Sequence, residues 1–223
     1  MTAPLAEVFE RLNQRYGPQH WWPAETPLEM IVGAVLTQNT AWKNVVRAID
    51  NLRAAELLDA RRLYELGHDE LAELIRPAGY FNLKARRLKN LLAVVCEEFG
   101  GSLERLFALG LPELRERLLA VSGVGPETAD SIVLYGAGLP RFVVDAYTHR
   151  VLVRHGWIEP EADYHALQEF FESRLADDVD QWGQWHALLV RLGNEHCRKQ
   201  ARCDGCPLAD LLPESGPVDP AAS

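Results

Sequence analysis

The feature that most constrains this chain is a glycine turn set between two apolar helical patterns. Gly123 and Gly125 bracket Val124, and Pro126 follows where the first residue of a helix tolerates proline. An amphipathic pattern then covers residues 127–135. The sequence therefore predicts a helix, a tight hairpin and a second helix. Free amides at the start of that second helix suit an anionic phosphate.

An acidic residue follows the hairpin at short range. Gly138 and Pro140 end the second helix, and apolar residues 142–144 lead to Asp145, which precedes a helical pattern ending near Gly156. Each feature alone is also typical of ordinary structure. G-x-G occurs in many loops, and an aspartate before a helix is a common N-cap.

The G-V-G turn with V-D about twenty residues later resembles the endonuclease III superfamily of DNA glycosylases. The motifs W-W-P, L-T-Q-N-T and G-V-G-P-E-T-A-D resemble its 3-methyladenine DNA glycosylase branch. The resemblance extends from Trp21 to Cys206, and no strand-like alternation persists in the sequence. We therefore expect an all-α protein with the helix-hairpin-helix glycosylase fold. The resemblance implies two helical domains with a DNA-binding cleft between them: residues 23–137, and residues 1–22 with 138–223.

The resemblance also assigns roles to individual residues. Asp145 is the candidate catalytic residue, because a carboxylate stabilises the electron-poor sugar formed when a glycosidic bond breaks. Gln38 would fill the gap left by an extruded base, and Tyr80 would be a wedge in the base stack. The expected DNA-binding residues are Gln38, Tyr80, Lys84, Gly123, Gly125 and Thr128. The expected base pocket is Trp21, Trp22, Trp42 and Glu127.

Glu127 marks a departure from the superfamily members that also nick the DNA strand. Those enzymes attack with a lysine at the second residue after G-V-G, which is Glu127 here. A carboxylate cannot form a Schiff base, so we expect hydrolysis by water and no strand-nicking lyase activity. An acidic residue in the first turn of a helix also has a purely structural explanation.

The tryptophans indicate which base is removed. Aromatic faces favour a positively charged base by about 1–2 kcal/mol through stacking and cation-π attraction, so Trp21, Trp22 and Trp42 favour an alkylated purine such as 3-methyladenine. Filling of the core is the alternative explanation for each ring. Two other functions stay open: a glycosylase for oxidised or mismatched pyrimidines, and a non-catalytic helix-hairpin-helix DNA-binding protein.

Three of the four cysteines are crowded near the C-terminus as Cys197, Cys203 and Cys206. Many superfamily members hold a four-iron cluster on C-x6-C-x2-C-x5-C, whereas this chain has C-x5-C-x2-C and Leu212 at the fourth position. We expect these cysteines to bind an iron-sulfur cluster, a 4Fe-4S cluster with a non-cysteine fourth ligand. Zinc and a metal-free remnant are the alternatives. His196 and Asp210 are the neighbouring residues able to bind a metal.

The formal charge of −9 argues against indiscriminate affinity for nucleic acid, which depends on basic residues. We expect weak, salt-sensitive binding to double-stranded DNA that contains a damaged base. No apolar run reaches membrane-spanning length, and residues 1–11 lack the features of a secretory signal. The expected location is therefore cytoplasmic, with the chromosome. No sustained heptad indicates a partner helix, so a monomer is expected.

Overall fold

The computed structural model describes residues 3–220, and every regular element in that part of the chain is helical. The prediction of an all-α protein is thus confirmed. An isolated antiparallel bridge joins Cys197 and Ala201. No helix among residues 3–220 is long and apolar enough to cross a membrane. The helices are α1 (Leu5–Tyr16), α2 (Pro27–Leu36), α3 (Trp42–Ala54), α4 (Ala60–Glu65), α5 (His68–Leu74), α6 (Phe81–Ala93), α7 (Leu103–Phe107), α8 (Leu111–Leu119), α9 (Pro126–Ser131), α10 (Ala146–Arg154), α11 (Tyr164–Glu172) and α12 (Val179–Glu195), with 3₁₀ turns at Arg76–Ala78 and Ala209–Leu211.

The chain forms two compact units. The central unit is Trp22–Leu139, and the terminal unit combines the chain up to Trp21 with the chain from Pro140 onwards. The core of the central unit is built around α2, because residues 28–36 of that helix are all buried. A helix that is buried on every side needs neighbours all round it. Apolar side chains of α3, α6 and α9 pack in the same core.

Two helices of the central unit end in π-helical turns, after α6 at Val94–Glu98 and after α9 at Ile132–Gly136. Turns of this kind are rare and often occur at functional sites. Gly136 lies in the second one, where a Cβ atom would come within 3.1 Å of both Met30 Sδ and Phe107 Cζ. The absence of a side chain at Gly136 therefore lets this turn pack tightly.

The terminal unit is centred on α10 and α12. Trp182 and Trp185 of α12 are each only 1% exposed, as expected for residues of the core. Gly193 allows the close approach of the two helices, because a Cβ atom there would lie 2.1 Å from Tyr147 Cδ1. The Tyr147 hydroxyl also donates to Asn194 Oδ1 at 2.8 Å. The first turn of α10 is thus fixed on α12.

Candidate active site

Asp145 is the N-cap residue of α10, and its two carboxylate oxygens have different surroundings. Oδ1 accepts three hydrogen bonds: from Tyr147 N at 3.0 Å, Thr148 N at 2.8 Å and Thr148 Oγ1 at 2.9 Å. This arrangement satisfies amides of the first turn, as an N-cap does. Oδ2 points elsewhere and lies 3.9 Å from His186 Nε2. The capping role thus uses one oxygen and leaves the other for chemistry.

A histidine and a tryptophan complete the surroundings of Asp145 in the terminal unit. His186, on α12, is 5% exposed. The ring of Trp21 meets the His186 ring edge-on, with centroids 5.8 Å apart. Burial lowers the pKa of His186, and the Asp145 carboxylate offsets part of that effect. Burial thus favours the neutral form of the His186 ring.

In the central unit, Gly123 is required by the conformation of the hairpin. Its φ of +96° lies in the region that favours glycine. A Cβ atom at Gly123 would also lie 2.3 Å from Arg87 Cγ. Gly125 differs in both respects, since it has φ of −92° and a Cβ atom there would meet nothing within 4 Å. Gly123 is therefore needed for the packing of the hairpin, whereas Gly125 keeps the surface of the hairpin open.

We expect Gly123→Ala to lower the free energy of unfolding by about 2–4 kcal/mol, because it adds backbone strain and a collision with Arg87. Removing that side chain in Gly123→Ala/Arg87→Ala relieves the collision, so the double variant loses less than the sum of the single variants. Urea unfolding measures all three. Gly125→Ala is the matched control, expected to stay within about 0.5 kcal/mol of the wild type. Equal losses at both glycines would contradict the structure.

Gln38 joins the hairpin to two other segments of the central unit. Its Nε2 donates to Gly123 O at 3.1 Å and to Thr128 Oγ1 at 3.0 Å. Its Oε1 accepts a hydrogen bond from Arg87 Nη1. The structure thus brings together Gln38, Gly123 and Thr128, three of the residues expected to bind DNA. In this conformation the Gln38 amide is held by protein groups.

The central unit also contains a cluster of aromatic rings. The ring of Trp22 stacks on Tyr135 with centroids 5.3 Å apart, and Trp42 meets Trp22 edge-on at 5.5 Å. Trp22 packs against Gly33, where a Cβ atom would lie 3.3 Å from its Nε1. Its indole Nε1 is buried, and none of residues 3–220 offers it a hydrogen-bond partner. Trp22 and Trp42 therefore share one cluster, whereas Trp21 belongs to the terminal unit.

Two other predicted site residues, Tyr80 and Glu127, are exposed. Tyr80 is 71% exposed, with φ of +47° as the residue preceding α6, and neighbouring Leu83 is 40% exposed. Glu127 is exposed in the first turn of α9. A tyrosine in a left-handed conformation with its ring in solvent is unusual and indicates a surface used for binding.

Lys84 differs from the prediction of direct contact with DNA. Its side chain is buried, with only 1% exposure, and Nζ donates to Leu36 O and Ala78 O at 2.8 Å each. Burial lowers the pKa of Lys84 to about 8. The ammonium therefore holds two loop starts together: the one that leads to Gln38 and the one that leads to Tyr80.

Comparison with known proteins now assigns the family. Residues 32–177 match the HhH-GPD superfamily of base excision DNA repair proteins. The chain belongs to this superfamily. A relative from Methanocaldococcus jannaschii, named as a candidate DNA repair glycosylase, is 46% identical over 93% of this chain and 94% of its own length. Endonuclease III of Thermotoga maritima is 27% identical over 91% of this chain and 89% of its own.

A solved structure resembles the fold closely. The Helicobacter pylori 3-methyladenine DNA glycosylase bound to 1,N6-ethenoadenine has a TM-score of 0.74 and 29% identity, covering 85% of this chain and 96% of that chain. These findings confirm the superfamily and the helix-hairpin-helix fold expected from the sequence. The protein is an HhH-GPD DNA glycosylase of base excision repair.

The cysteine loop was expected to hold an iron-sulfur cluster of the kind found in endonuclease III enzymes. Within residues 3–220, no group of three or more histidine, cysteine or acidic side chains is arranged to hold a metal ion. Both candidates for a fourth ligand have other partners: His196 Nδ1 lies 2.9 Å from Arg202 O, and Asp210 pairs with Arg11. The iron-sulfur cluster expected at Cys197, Cys203 and Cys206 therefore stays a prediction.

Protein groups also hold the cysteine loop in place. Arg154, which is 2% exposed, donates from Nη2 to Arg198 O at 2.7 Å and to Lys199 O at 2.9 Å. Arg150 Nε donates to Cys197 O at 2.8 Å, and His155 Nε2 lies 3.2 Å from Leu208 O. Burial raises the pKa of Cys206 to about 11.

The sequence did not single out two residues of this site, His186 and Tyr135, and it marked Arg87 only as one of a cluster of basic residues. Arg87 stands in a run of basic residues, which usually marks a solvated helix face. His186 stands between Trp185 and apolar residues of α12, a pattern typical of the core. Only the folded chain shows what each side chain contacts.

Proposed function

We propose that the protein is a monofunctional DNA glycosylase that hydrolyses the N-glycosidic bond of an alkylated purine such as 3-methyladenine. Its partner is double-stranded DNA from which the damaged base has been flipped, as this class of chemistry requires. The observation that carries the proposal is the split role of Asp145. Three donors fix Oδ1, whereas Oδ2 takes no part in capping the helix. The Asp145 side chain is 11% exposed, so Oδ2 can face a substrate.

The chemistry follows from that carboxylate. The bond between C1′ of the sugar and the base nitrogen breaks, and its electron pair leaves with the base. The sugar becomes positively charged and is stabilised by the negative charge of Asp145. A water molecule then adds to C1′ and loses a proton. An alkylated purine that already carries a positive charge leaves without prior protonation, so the site needs no separate acid.

The lysines of the chain support water as the nucleophile. The sequence contains four lysines. Lys84 and Lys89 each donate to two backbone carbonyls, and Lys43 and Lys199 are exposed. At the second residue after G-V-G stands the exposed carboxylate of Glu127. We therefore infer that base removal leaves an intact abasic strand.

Aromatic rings support the choice of base. Trp22, Trp42 and Tyr135 form a cluster in the central unit, and Trp21 lies beside His186 in the terminal unit. Such rings attract a cationic purine by stacking and cation-π contacts. The Helicobacter pylori glycosylase that resembles this chain is named for 3-methyladenine and was solved with a modified adenine.

We assign DNA binding to the hairpin and to the loop that carries Tyr80, both in the central unit. The amides at the start of α9 and the exposed Gly125 suit a phosphate, and the 71% exposed ring of Tyr80 suits insertion into a base stack. With a formal charge of −9, we expect affinity to fall steeply with salt. We also infer a monomer that acts where the chromosome is.

Single-turnover release of bases from methylated duplex DNA tests this function. We expect release of 3-methyladenine, and strand breaks only after alkali. The comparison substrates are duplexes with an oxidised pyrimidine and with a mispaired thymine or uracil. Faster release of those neutral bases would overturn the substrate assignment. Strand breaks before alkali would overturn the assignment of water as the nucleophile.

A further inference from the structure

His186 is a buried titratable residue that the proposed hydrolysis does not yet use. It is 5% exposed on α12, and its Nε2 lies 3.9 Å from Asp145 Oδ2. The ring of Trp21 covers it edge-on. A histidine in an apolar helix is most often a core residue. This one faces Asp145 Oδ2, the carboxylate oxygen that does not cap α10.

The geometry between His186 and Asp145 is held by the packing of their helices. Asp145 begins α10 and His186 lies in the middle of α12. The Tyr147 ring lies directly against Gly193, and its hydroxyl donates to Asn194. These contacts come within two residues of Asp145 and within eight of His186. The two side chains therefore meet on a rigid frame rather than on loops.

The protonation state of His186 suits it to act as a donor. Burial favours the neutral ring, in which one nitrogen carries a proton and the other accepts. A separation of 3.9 Å is longer than a hydrogen bond. A shift of about 1 Å brings Nε2–H and Oδ2 into contact at an ordinary hydrogen-bond distance. A neutral donor can orient the carboxylate without removing its charge.

We propose that His186 is a positioning residue for the hydrolysis, in which Nε2–H holds Oδ2 of Asp145 towards the positive charge that develops on the sugar. The inference rests on the proposed function in one respect, namely that Asp145 acts on the sugar. It does not depend on which base leaves. Three donors fix Oδ1, and His186 completes the orientation of the carboxylate by fixing Oδ2.

The test compares binding of two duplexes, one with a cationic pyrrolidine in place of the deoxyribose and one with a neutral tetrahydrofuran. We expect the wild type to prefer the pyrrolidine duplex. His186→Phe keeps an aromatic ring against Trp21 but lacks the donor. It should reduce that preference about tenfold, as expected for a lost hydrogen bond to a charged group, with tetrahydrofuran binding unchanged. His186→Gln should restore part of the preference.

Matched variants separate positioning from a structural role. His165→Phe changes an exposed histidine of the same unit and should leave both affinities unchanged. Asp145→Asn/His186→Phe should lose no more of the preference than Asp145→Asn alone, because His186 acts through Asp145. Unfolding midpoints are measured first, and His186→Met serves as the donor-free variant if phenylalanine does not fit.

The outcomes distinguish this inference from the substrate assignment. A wild-type preference for pyrrolidine with no release of 3-methyladenine would overturn the substrate class and leave the role of His186 standing. An undiminished preference in the donor-free variant would overturn the positioning role. The positioning role would also be overturned if the two substitutions reduced the pyrrolidine preference independently in Asp145→Asn/His186→Phe. A wild type that did not prefer the pyrrolidine duplex would overturn it as well.

Discussion

Asp145→Asn is expected to lower the single-turnover rate of base release by about 10²–10³, the usual effect of removing one electrostatic group at a transition state. The substitution leaves the fold intact, because asparagine caps a helix as well as aspartate does. The amide oxygen can still accept from Tyr147 N and Thr148 N, the capping bonds of the wild type. What disappears is the negative charge that faces the sugar.

The chain offers a matched control for this substitution. Asp163 is the N-cap of α11 and accepts from Ala166 N at 2.9 Å, so Asp163→Asn makes the same change at an exposed helix start of the same unit. Base release should stay at the wild-type rate there. Asp145→Ala should in addition lose about 1 kcal/mol of stability with its cap. Base release by Asp145→Asn at the wild-type rate would mean that Asp145 is only a cap.

The local parts of this site could be predicted from the sequence because their signals are local. Gly123 stands where a turn needs a positive φ, and Asp145 stands directly before a helical pattern. Neither conclusion requires knowledge of distant neighbours. The all-helical fold follows similarly from the hydrophobic periodicity of each segment.

The contacts between distant segments could not be predicted in this way. The run that contains Lys84 and Arg87 is strongly basic, which normally indicates a solvated face. Folding instead buries Lys84 against two carbonyls and lays Arg87 over Gly123. Likewise, nothing local to His186 indicates that Asp145 faces it. Tertiary packing determines which side chains contact the site residues, and a periodic sequence pattern does not contain that information.

The cysteine loop carries a local signal that the described structure does not match. The close spacing of Cys197, Cys203 and Cys206 is typical of metal ligation. Yet the described residues form no metal-binding group, and the buried guanidinium of Arg154 donates to the loop carbonyls instead. A spacing pattern shows where candidate ligands stand in the chain, and metal analysis of the purified protein tests whether they bind a metal.

Arg154→Met is therefore expected to destabilise the protein by about 2–4 kcal/mol, because it leaves two carbonyls without their donor. Methionine retains much of the buried volume, so the loss reports mainly on hydrogen bonding. The affected carbonyls belong to Arg198 and Lys199. Chemical unfolding measures the loss, and limited proteolysis between Cys197 and Cys203 should show the loop opening before the rest of the unit.

If Arg154 rather than a metal holds this loop, cysteine substitution and metal removal should have little effect on stability. Cys203→Ser/Cys206→Ser is expected to change stability by no more than about 1 kcal/mol, since both thiols are only partly buried. In that case a chelator should not move the unfolding midpoint. A structural metal site would respond oppositely, because metal-binding energy contributes directly to folding. Stoichiometric metal lost together with stability in the double serine variant would show that these cysteines are ligands, and Arg154 would then be a secondary support of the loop.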